Sequence, residues 1–304
     1  MATVGELLTQ ATRRLTDAGA DSARLDAEVL LAHVLGVART GVLAYPAAVV
    51  GDGSTSTYQA LITQRVAGTP VAYLRGIQEF HGLAFSVDQR VLIPRPETEL
   101  LVDLGFERMR MMLTAAPRPT GAPELRVWDV ATGSGAVAVA LAALLRKRGY
   151  LDEVRLIASD ISPDALAVAV ENAVAHGVAD RLDLVRGDLL DIPGRAPVDL
   201  LLANLPYVPT EVVATLSAEV RAEPRLALDG GPDGMQLIGR LLAGLPEVLL
   251  PGGRALLEMG GEQGDLMRSA VAAELPDTWT VVIHRDLAGR PRVTELLRAE
   301  GSGS

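Results

Sequence analysis

The residues of this chain that point most directly to chemistry are Asn204-Leu205-Pro206-Tyr207, which follow an apolar run at positions 198–203. The run predicts a buried strand, and Pro206 prevents that strand from continuing in the centre of a sheet. The Asn204 oxygen and a nearby backbone carbonyl can accept both hydrogens of a planar NH2 group, while the Tyr207 ring packs on its flat face. Such nitrogens are poor nucleophiles, so an enzyme must position and desolvate them. A strand exit that merely contains proline is the alternative.

A glycine-rich turn forms a second candidate site directly after the predicted strand Leu125–Val130. Its backbone can approach a ligand closely and exposes the N–H groups that open the next helix. The turn also fits a dinucleotide-binding pattern, and a turn selected only for packing is the plain alternative. The candidate cofactor-binding residues of the turn are Ala131, Thr132, Gly133, Ser134 and Gly135.

Two acidic residues end the next two predicted strands. Asp160 could accept both hydroxyls of a ribose, and Asp188 could accept the amino group of adenine while Leu189 covers the ring. Each acid taken alone could equally be an ordinary polar strand end. Because the carboxyl ends of parallel strands meet at one edge of a sheet, the four motifs together predict a site for an adenosine-containing ligand beside Asn204.

Arg95 is a further candidate, held between two prolines and three residues before Thr98. It could lie over the cofactor or reach a substrate carbonyl. It could equally be a structural residue that pairs with Glu97 or Glu99. The sequence leaves these alternatives open.

The elements that must position these residues fall into three regions. Residues 1–75 have helical apolar spacing, with a loop predicted at 51–57 before a helix at 58–66. Residues 76–94 alternate as in a β-hairpin, and a loop is expected at 114–123. From residue 125 onward, strand and helix alternate, which predicts an α/β fold with a doubly wound, mostly parallel sheet. The seven predicted strands are 125–130, 154–159, 182–185, 198–203, 255–259, 279–284 and 292–297.

Composition narrows the class of protein. The chain has 304 residues, 49% of them apolar, which suggests about two domains with a real core. The absence of cysteine excludes disulfides and thiolate metal sites, and the scattered histidines lead us to expect no metal. A net charge of −10 opposes broad binding to nucleic acid. No apolar run could span a bilayer and no leader precedes the first helix, so we expect a cytoplasmic protein without membrane contact.

The motifs closely resemble class I S-adenosylmethionine-dependent methyltransferases, and specifically the bacterial release factor glutamine methyltransferase family. The resemblance covers nearly the whole chain and is carried by residues 91–99, 223–234 and 256–260 besides the strand-end motifs. Two positions depart from the usual family pattern. Ala131 stands where the family has glycine, and Leu205 replaces the first proline of Asn-Pro-Pro-Tyr.

The resemblance implies a seven-stranded methyltransferase sheet and transfer of a methyl group from S-adenosyl-L-methionine to the Gly-Gly-Gln loop glutamine of peptide chain release factors. Asn204, Pro206 and Tyr207 would be catalytic. These residues, Leu205 and Arg95 would contact the substrate, and Asn204 would also contact the cofactor. The implied organisation is a helical release-factor-binding domain at 1–75, a hairpin linker at 76–95, a methyltransferase domain at 96–300 and a disordered tail at 301–304. We expect a monomer.

Three other functions compete with this interpretation. An adenine amino-group methyltransferase acting on RNA or DNA is the closest, because Asn-Leu-Pro-Tyr is familiar from dimethyladenosine methyltransferases of ribosomal RNA. A nicotinamide-dependent oxidoreductase depends only on the glycine-rich turn and leaves Asn204 and Tyr207 unexplained. A non-catalytic binding protein that keeps the fold is the third.

Overall fold

The structure is a computed structural model that describes residues 2–115 and 124–299. The tail at 301–304 and most of the loop predicted at 114–123 lie outside these residues. Within the described ranges, no helix is long and apolar enough to cross a membrane. The helices and strands, in chain order, are β1 (Ala2–Thr3), α1 (Val4–Asp17), α2 (Ala23–Leu35), α3 (Arg39–Ala44), β2 (Val49–Val50), α4 (Asp52–Val66), α5 (Val71–Arg75), β3 (Ile77–Phe80), β4 (Leu83–Ser86), α6 (Glu99–Thr114), β5 (Leu125–Val130), α7 (Ala136–Lys147), β6 (Val154–Asp160), α8 (Pro163–Ala175), β7 (Leu182–Arg186), β8 (Val198–Ala203), α9 (Thr210–Val213), α10 (Ala218–Arg221), α11 (Gln236–Val248), β9 (Leu249–Glu258), α12 (Gly264–Glu274), β10 (Trp279–Arg285) and β11 (Pro291–Arg298).

These elements form two compact units, of which the first contains the chain up to Ile77 together with the segment Leu216–Ala222. Helix α1 begins with a capping box between Thr3 and Glu6, in which each side chain accepts the other's backbone N–H. Its apolar face packs with α2 and α4 in a core of its own. The segment Leu216–Ala222 contributes Glu219, which forms an ion pair with the buried Arg65 of α4.

Two details of the first unit differ from the sequence prediction. The loop predicted at 51–57 is wrong, because α4 already begins at Asp52. Gly, Ser and Thr have low helix propensity, but burial of Tyr58 and Ile62 holds the helix and extends it over an exposed first turn. The unit is also not purely helical, since β1 and β2 pair antiparallel over two residues each.

The second unit contains the predicted seven-stranded sheet, in the order β10-β11-β9-β8-β5-β6-β7. The strands from β9 to β7 are parallel, and β10 and β11 form the expected antiparallel hairpin at one edge. The predicted fold is therefore confirmed. The fifth strand begins at Leu249 instead of residue 255, and its register with β8 shifts where it passes Pro251-Gly252-Gly253. The predicted hairpin of β3 and β4 is also present.

The topology brings the motifs together. The chain proceeds from β5 outward to β6 and β7, then returns to place β8 on the other side of β5. The strand order therefore reverses between β5 and β8, and ligands of open α/β sheets bind beside the carboxyl ends at such a point. Helix α7, which follows β5, is apolar and buried over most of its length, so the turn before it is fixed against the sheet.

Candidate functional site

A cavity of about 270 Å³ lies at the carboxyl ends of β5, β6, β7 and β8. It receives residues from all four strand-end motifs, so side chains separated by up to 75 positions meet in one place. The predicted residues that line it are Ala131, Gly133, Asp160, Asp188, Leu189, Asn204, Leu205 and Pro206. The additional lining residues include Arg90, Leu226, Leu237 and Arg240, which the sequence analysis did not assign to the site.

The glycine-rich turn has a strongly constrained backbone. Gly133 and Gly135 have φ values of +56° and +79°, and Ala131 has +57°. An alanine in this left-handed region is strained by roughly 1 kcal/mol relative to glycine, so Ala131 fits the turn at an energetic cost. A Cβ at Gly133 would meet no atom within 4 Å, which leaves the space beside this backbone open to the cavity.

Thr132, Ser134 and Gly135 are not among the residues that line the cavity, and the first two fix the turn through hydrogen bonds. The Thr132 hydroxyl donates to Asp129 Oδ2 at 2.6 Å, and the Ala138 amide donates to the same oxygen at 3.2 Å. Burial raises the pKa of Asp129 to about 7, although both hydrogen bonds act to lower it. Ser134 is buried, and its carbonyl accepts a hydrogen bond from Asn172 at 2.9 Å. Asp129 thus anchors the turn to the start of α7.

Asp160 connects the turn to the second strand end. Its Oδ2 accepts the Gly133 amide and its Oδ1 accepts the Ser162 amide, each at 2.9 Å. Burial raises the pKa of Asp160, and these amides oppose that effect. Each carboxylate oxygen has two acceptor positions, so both oxygens can still accept a ligand hydroxyl.

Asp188 and Leu189 form the third wall of the cavity. Asp188 Oδ2 accepts a hydrogen bond from Arg240 at 2.9 Å, which leaves Oδ1 for a ligand amino group. Leu189 has a φ of +52°, an uncommon conformation that lets its side chain line the cavity. Arg240 is the partner that sequence reasoning missed, because it lies 52 positions away on α11.

The Asn204 motif begins where β8 ends. Asn204 Nδ2 donates to Thr98 Oγ1 at 3.1 Å, so the amide nitrogen is engaged by the protein. Among the described residues, none donates to Asn204 Oδ1, and this oxygen remains an acceptor. Leu205 is only 3% exposed and packs in the apolar core of the second unit, so this position also contributes core packing.

Tyr207 is not among the residues that line the cavity. Its ring packs against the apolar core, and burial, together with the nearby Glu258 carboxylate, raises the pKa of Tyr207 to about 12. The phenol therefore stays protonated near neutral pH. The Tyr207 carbonyl accepts a hydrogen bond from Gln263 at 3.0 Å.

The segment 223–234 fixes the backbone of the same motif. The Val208 amide donates to the Leu228 carbonyl at 3.0 Å, and the Gly230 amide donates to the Val208 carbonyl at 2.8 Å. A Cβ at Gly230 would lie 2.6 Å from the Pro206 carbonyl oxygen, and one at Gly234 would lie 2.2 Å from the Tyr207 oxygen. The glycines of this segment therefore allow a backbone contact that no other residue permits.

Arg95 pairs with neither of the acids considered from the sequence. Its guanidinium donates to Glu223, whose side chain is 1% exposed, and the Ile93 amide donates to the other Glu223 oxygen at 3.0 Å. Local sequence could not predict this pair, because Glu223 lies 128 positions away along the chain. Arg95 is not among the residues that line the cavity.

Glu258 is a buried acid that the sequence analysis did not assign to the site. It ends β9, and Leu257 lies opposite Ala203 in the register with β8, so Glu258 and Asn204 follow at the same sheet edge. Glu258 is 3% exposed, and burial raises its pKa to about 7. Its signal in the sequence is a single acid that ends the apolar run 255–257.

Comparisons with known proteins identify two matching regions. Residues 6–76 match the family described as the PrmC N-terminal domain, and residues 127–222 match a methyltransferase domain. The chain is 40% identical to a release factor glutamine methyltransferase from Moorella thermoacetica, over 98% of this chain and 99% of that one. It is 38% identical to a protein of the same name from Deinococcus radiodurans, over 97% and 99%.

Among solved structures, the catalytic domain of hMettl16 in complex with a MAT2A 3′UTR hairpin is similar, with a TM-score of 0.55. It shares 12% sequence identity over 83% of this chain and 84% of that chain. At this identity the similarity shows the fold alone.

Proposed function

The chain belongs to the release factor glutamine methyltransferase family, and from this premise we propose that it methylates the Gly-Gly-Gln loop glutamine of peptide chain release factors. The chain is a methyltransferase. The observation that carries the proposal is the position and hydrogen bonding of the Asn204 side chain. It lines the cavity while its Nδ2 is engaged by Thr98, which leaves Oδ1 to accept a hydrogen from the amide of the substrate.

The cavity fits S-adenosyl-L-methionine. The open backbone at Gly133 suits close approach by the ligand, and the free acceptor positions of Asp160 suit the two hydroxyls of a ribose. Asp188 Oδ1 can accept the amino group of adenine, and Leu189 supplies an apolar surface for the ring. When bound, this cofactor supplies an electrophilic methyl group and leaves as S-adenosyl-L-homocysteine.

The residues of the chain then act by positioning. Asn204 Oδ1 and a backbone carbonyl near Leu205 would accept the two amide hydrogens of the glutamine, and Tyr207 would pack near the amide plane. The amide nitrogen becomes acidic only as its new bond to carbon forms, so its proton can leave late. Catalysis therefore depends on orientation and removal of water, and no strong base is needed at the start.

The first unit is proposed to bind the release factor. Four apolar side chains between residues 37 and 49 support this role, because they are between 43% and 70% exposed. Contacts remote from the reacting atoms can improve orientation of the glutamine. The exposed residues are Val37, Leu43, Tyr45 and Val49. We also propose a monomer that works in the cytoplasm, since a chain without cysteine suits a reducing compartment.

Mass spectrometry tests the function. A release factor incubated with this protein and S-adenosylmethionine should gain one methyl group on the loop glutamine. Asn204→Ala should lower the rate at least about 100-fold. Gln59→Ala, which removes an exposed amide on α4, should behave as the wild type. Methyl found on RNA, with none on the release factor, would transfer the assignment to the adenine alternative.

A further inference from the structure

The connection between β7 and β8 supplies one wall of the cavity but has no helix to hold it. Strands that lie parallel in one sheet are usually joined by a helix that packs on the sheet. Here the chain between the two strands, residues 187–197, contains two turns and no helix. Asp188 and Leu189 line the cavity from this 187–197 loop. Their positions therefore depend on the side chains that anchor the loop.

The first half of the 187–197 loop is folded on itself. The Gly187 amide donates to the Asp160 carbonyl at 3.1 Å, and the Asp191 amide donates to the Asp188 carbonyl at 3.0 Å. A Cβ on Gly187 would lie 2.5 Å from the Ile192 side chain, so Ile192 packs directly on this backbone. Because this half is compact, an anchor further along the loop also restrains Asp188.

Arg195 anchors the second half of the loop on a buried ring. Its guanidinium carbon lies 3.4 Å from the centre of the Trp128 ring, which is fully buried on β5. Trp128 Nε1 donates to Ser159 Oγ at 2.8 Å, so the ring plane is fixed by a contact with β6. A cation over the face of a tryptophan is attracted by the ring electrons, most strongly where water is excluded. The stack therefore ties the loop to the centre of the sheet.

The ring is the partner that the structure gives this cation. Within the described residues, Arg195 Nε and Nη1 are buried and have no hydrogen-bond partner. Buried donors without a partner are destabilising, so they persist only where another contact offsets their cost. Burial lowers the pKa of Arg195 to about 10, so the guanidinium is still charged near neutral pH. The stack thus places a full positive charge over Trp128.

The same core also holds the cavity wall. Leu189, Leu190 and Ile192 pack against the buried cluster that contains Trp128. Apolar packing is not directional, so these contacts hold the loop near the sheet without fixing the direction of its polar groups. The Arg195 stack adds a contact with a defined geometry at the end of the same loop.

We propose that Arg195, stacked on Trp128, is a positioning residue that holds the Asp188 carboxylate in place for the amino group of the cofactor's adenine. Arg195 is not among the residues that line the cavity, so it acts through the loop. The inference rests on the cofactor site of the proposed function, and it does not depend on which nitrogen accepts the methyl group.

Isothermal titration calorimetry with S-adenosyl-L-homocysteine tests this role. Arg195→Met keeps the length of the side chain but removes its charge and plane, and the Kd should rise about tenfold. Arg195→Lys keeps the charge and should recover part of the loss. Arg148→Met, which changes an exposed arginine directly after α7, is the matched control and should bind as the wild type. A folded Arg195→Met protein with wild-type affinity would overturn the proposal.

A second ligand separates positioning from a general loosening of the fold. The analogue of S-adenosyl-L-homocysteine with purine in place of adenine lacks the amino group that Asp188 would accept. Arg195→Met should weaken binding of this analogue by less than about threefold, because the affected hydrogen bond is missing in both proteins. An equal loss with both ligands would refute the positioning of Asp188.

Fluorescence tests the stack without any ligand. The chain has two tryptophans, so Trp128 is the only one left in a Trp279→Phe background. Arg195→Ala uncovers the ring, and quenching of its emission by acrylamide should increase. Unchanged quenching would mean that the stack does not form in solution, which contradicts the proposal.

These measurements are independent of methyl transfer to a release factor. If the wild type methylates a release factor but Arg195→Met binds both ligands like the wild type, the positioning role is wrong and the function stands. If the adenine-dependent loss of affinity is found but no methyl reaches a release factor, the proposed function fails and the role of Arg195 stands.

Discussion

The backbone amide of Gly133 donates a hydrogen bond to Asp160 Oδ2 at 2.9 Å, across 27 positions of sequence. This bond joins the glycine-rich turn after β5 to the end of β6. The second oxygen of Asp160 accepts the Ser162 amide at the start of α8. One carboxylate thus sets the shape of two cavity walls and keeps acceptor positions for a ligand.

Asp160→Asn should weaken binding of S-adenosylmethionine at least about tenfold. The amide keeps one acceptor oxygen, but its NH2 group can only donate. That group must therefore face either a backbone N–H or a ligand hydroxyl in place of a carboxylate oxygen. A lost charge-assisted hydrogen bond is worth about 1.5–3 kcal/mol. Isothermal titration calorimetry measures the change. Asp164→Asn, on the exposed first turn of α8, should bind as the wild type. Equal affinity in both variants would remove Asp160 from the site.

Gly234→Ala should lower kcat at least about tenfold and leave cofactor affinity nearly unchanged. The new Cβ would lie 2.2 Å from the Tyr207 carbonyl oxygen, and the residue has a φ of +76°. The backbone beside Tyr207 must therefore move, and a misplacement of about 1 Å can lower a rate by two orders of magnitude. Gly239→Ala on α11 is the matched control, because its Cβ would meet no atom within 4 Å. Steady-state kinetics on a release factor compares the two. Full activity of Gly234→Ala would show that this backbone contact does not set the rate.

Leu205→Ala should lower the free energy of unfolding by about 2–3 kcal/mol. The side chain is 3% exposed within the core of the second unit, and its removal leaves a cavity that neighbouring residues fill only in part. Urea unfolding of both proteins measures the difference. Leu266→Ala, at a position 48% exposed on α12, should change stability by less than about 0.5 kcal/mol. A small loss at Leu205 would mean that this position only shapes the backbone.

Glu295→Gln should destabilise the protein at pH 7 by on the order of 2 kcal/mol. The loss is smaller than the pKa shift alone would give, because solvent screens the partly exposed arginine partners of Glu295. Glu295 accepts hydrogen bonds from Arg108 at 2.7 Å, Arg254 at 2.6 Å and His284 at 2.8 Å. Burial tends to raise the pKa of Glu295, but these partners outweigh it and lower the pKa to about 2. The folded-state pKa lies below the ordinary value of 4.5, so the stabilisation is complete above 4.5 and is lost as pH falls through about 2.

Urea unfolding of the Glu295 variant at several pH values checks this sign. The difference from the wild type should shrink as the solution is acidified below about pH 4.5. Glu274→Gln, an exposed acid near the end of α12, should show no such convergence. A difference that grows on acidification would contradict the assignment of a lowered pKa.

The local pattern of the sequence was sufficient for much of this fold. Apolar runs and the residues that interrupt them identify β5, β6, β7 and β8 with their ends close to the observed positions. The prediction failed at the start of α4, where local propensity favours a loop but Tyr58 and Ile62 hold a helix through the core. Propensity is a property of neighbouring residues, and burial is a property of the whole unit.

The sequence by itself determined that polar motifs follow four strands and that these strands belong to one parallel sheet. The spacing of apolar side chains predicts the strands. Because parallel strands have their carboxyl ends at the same edge of the sheet, the motifs that follow them meet there. Only the tertiary structure decided which residues touch. Arg95 binds Glu223, Asp188 binds Arg240, and Asn204 binds Thr98 across 106 positions. It also decided that the pKa of Glu258 is raised, because desolvation depends on atoms brought in from β8 and β11 and has no signature in the residues beside Glu258.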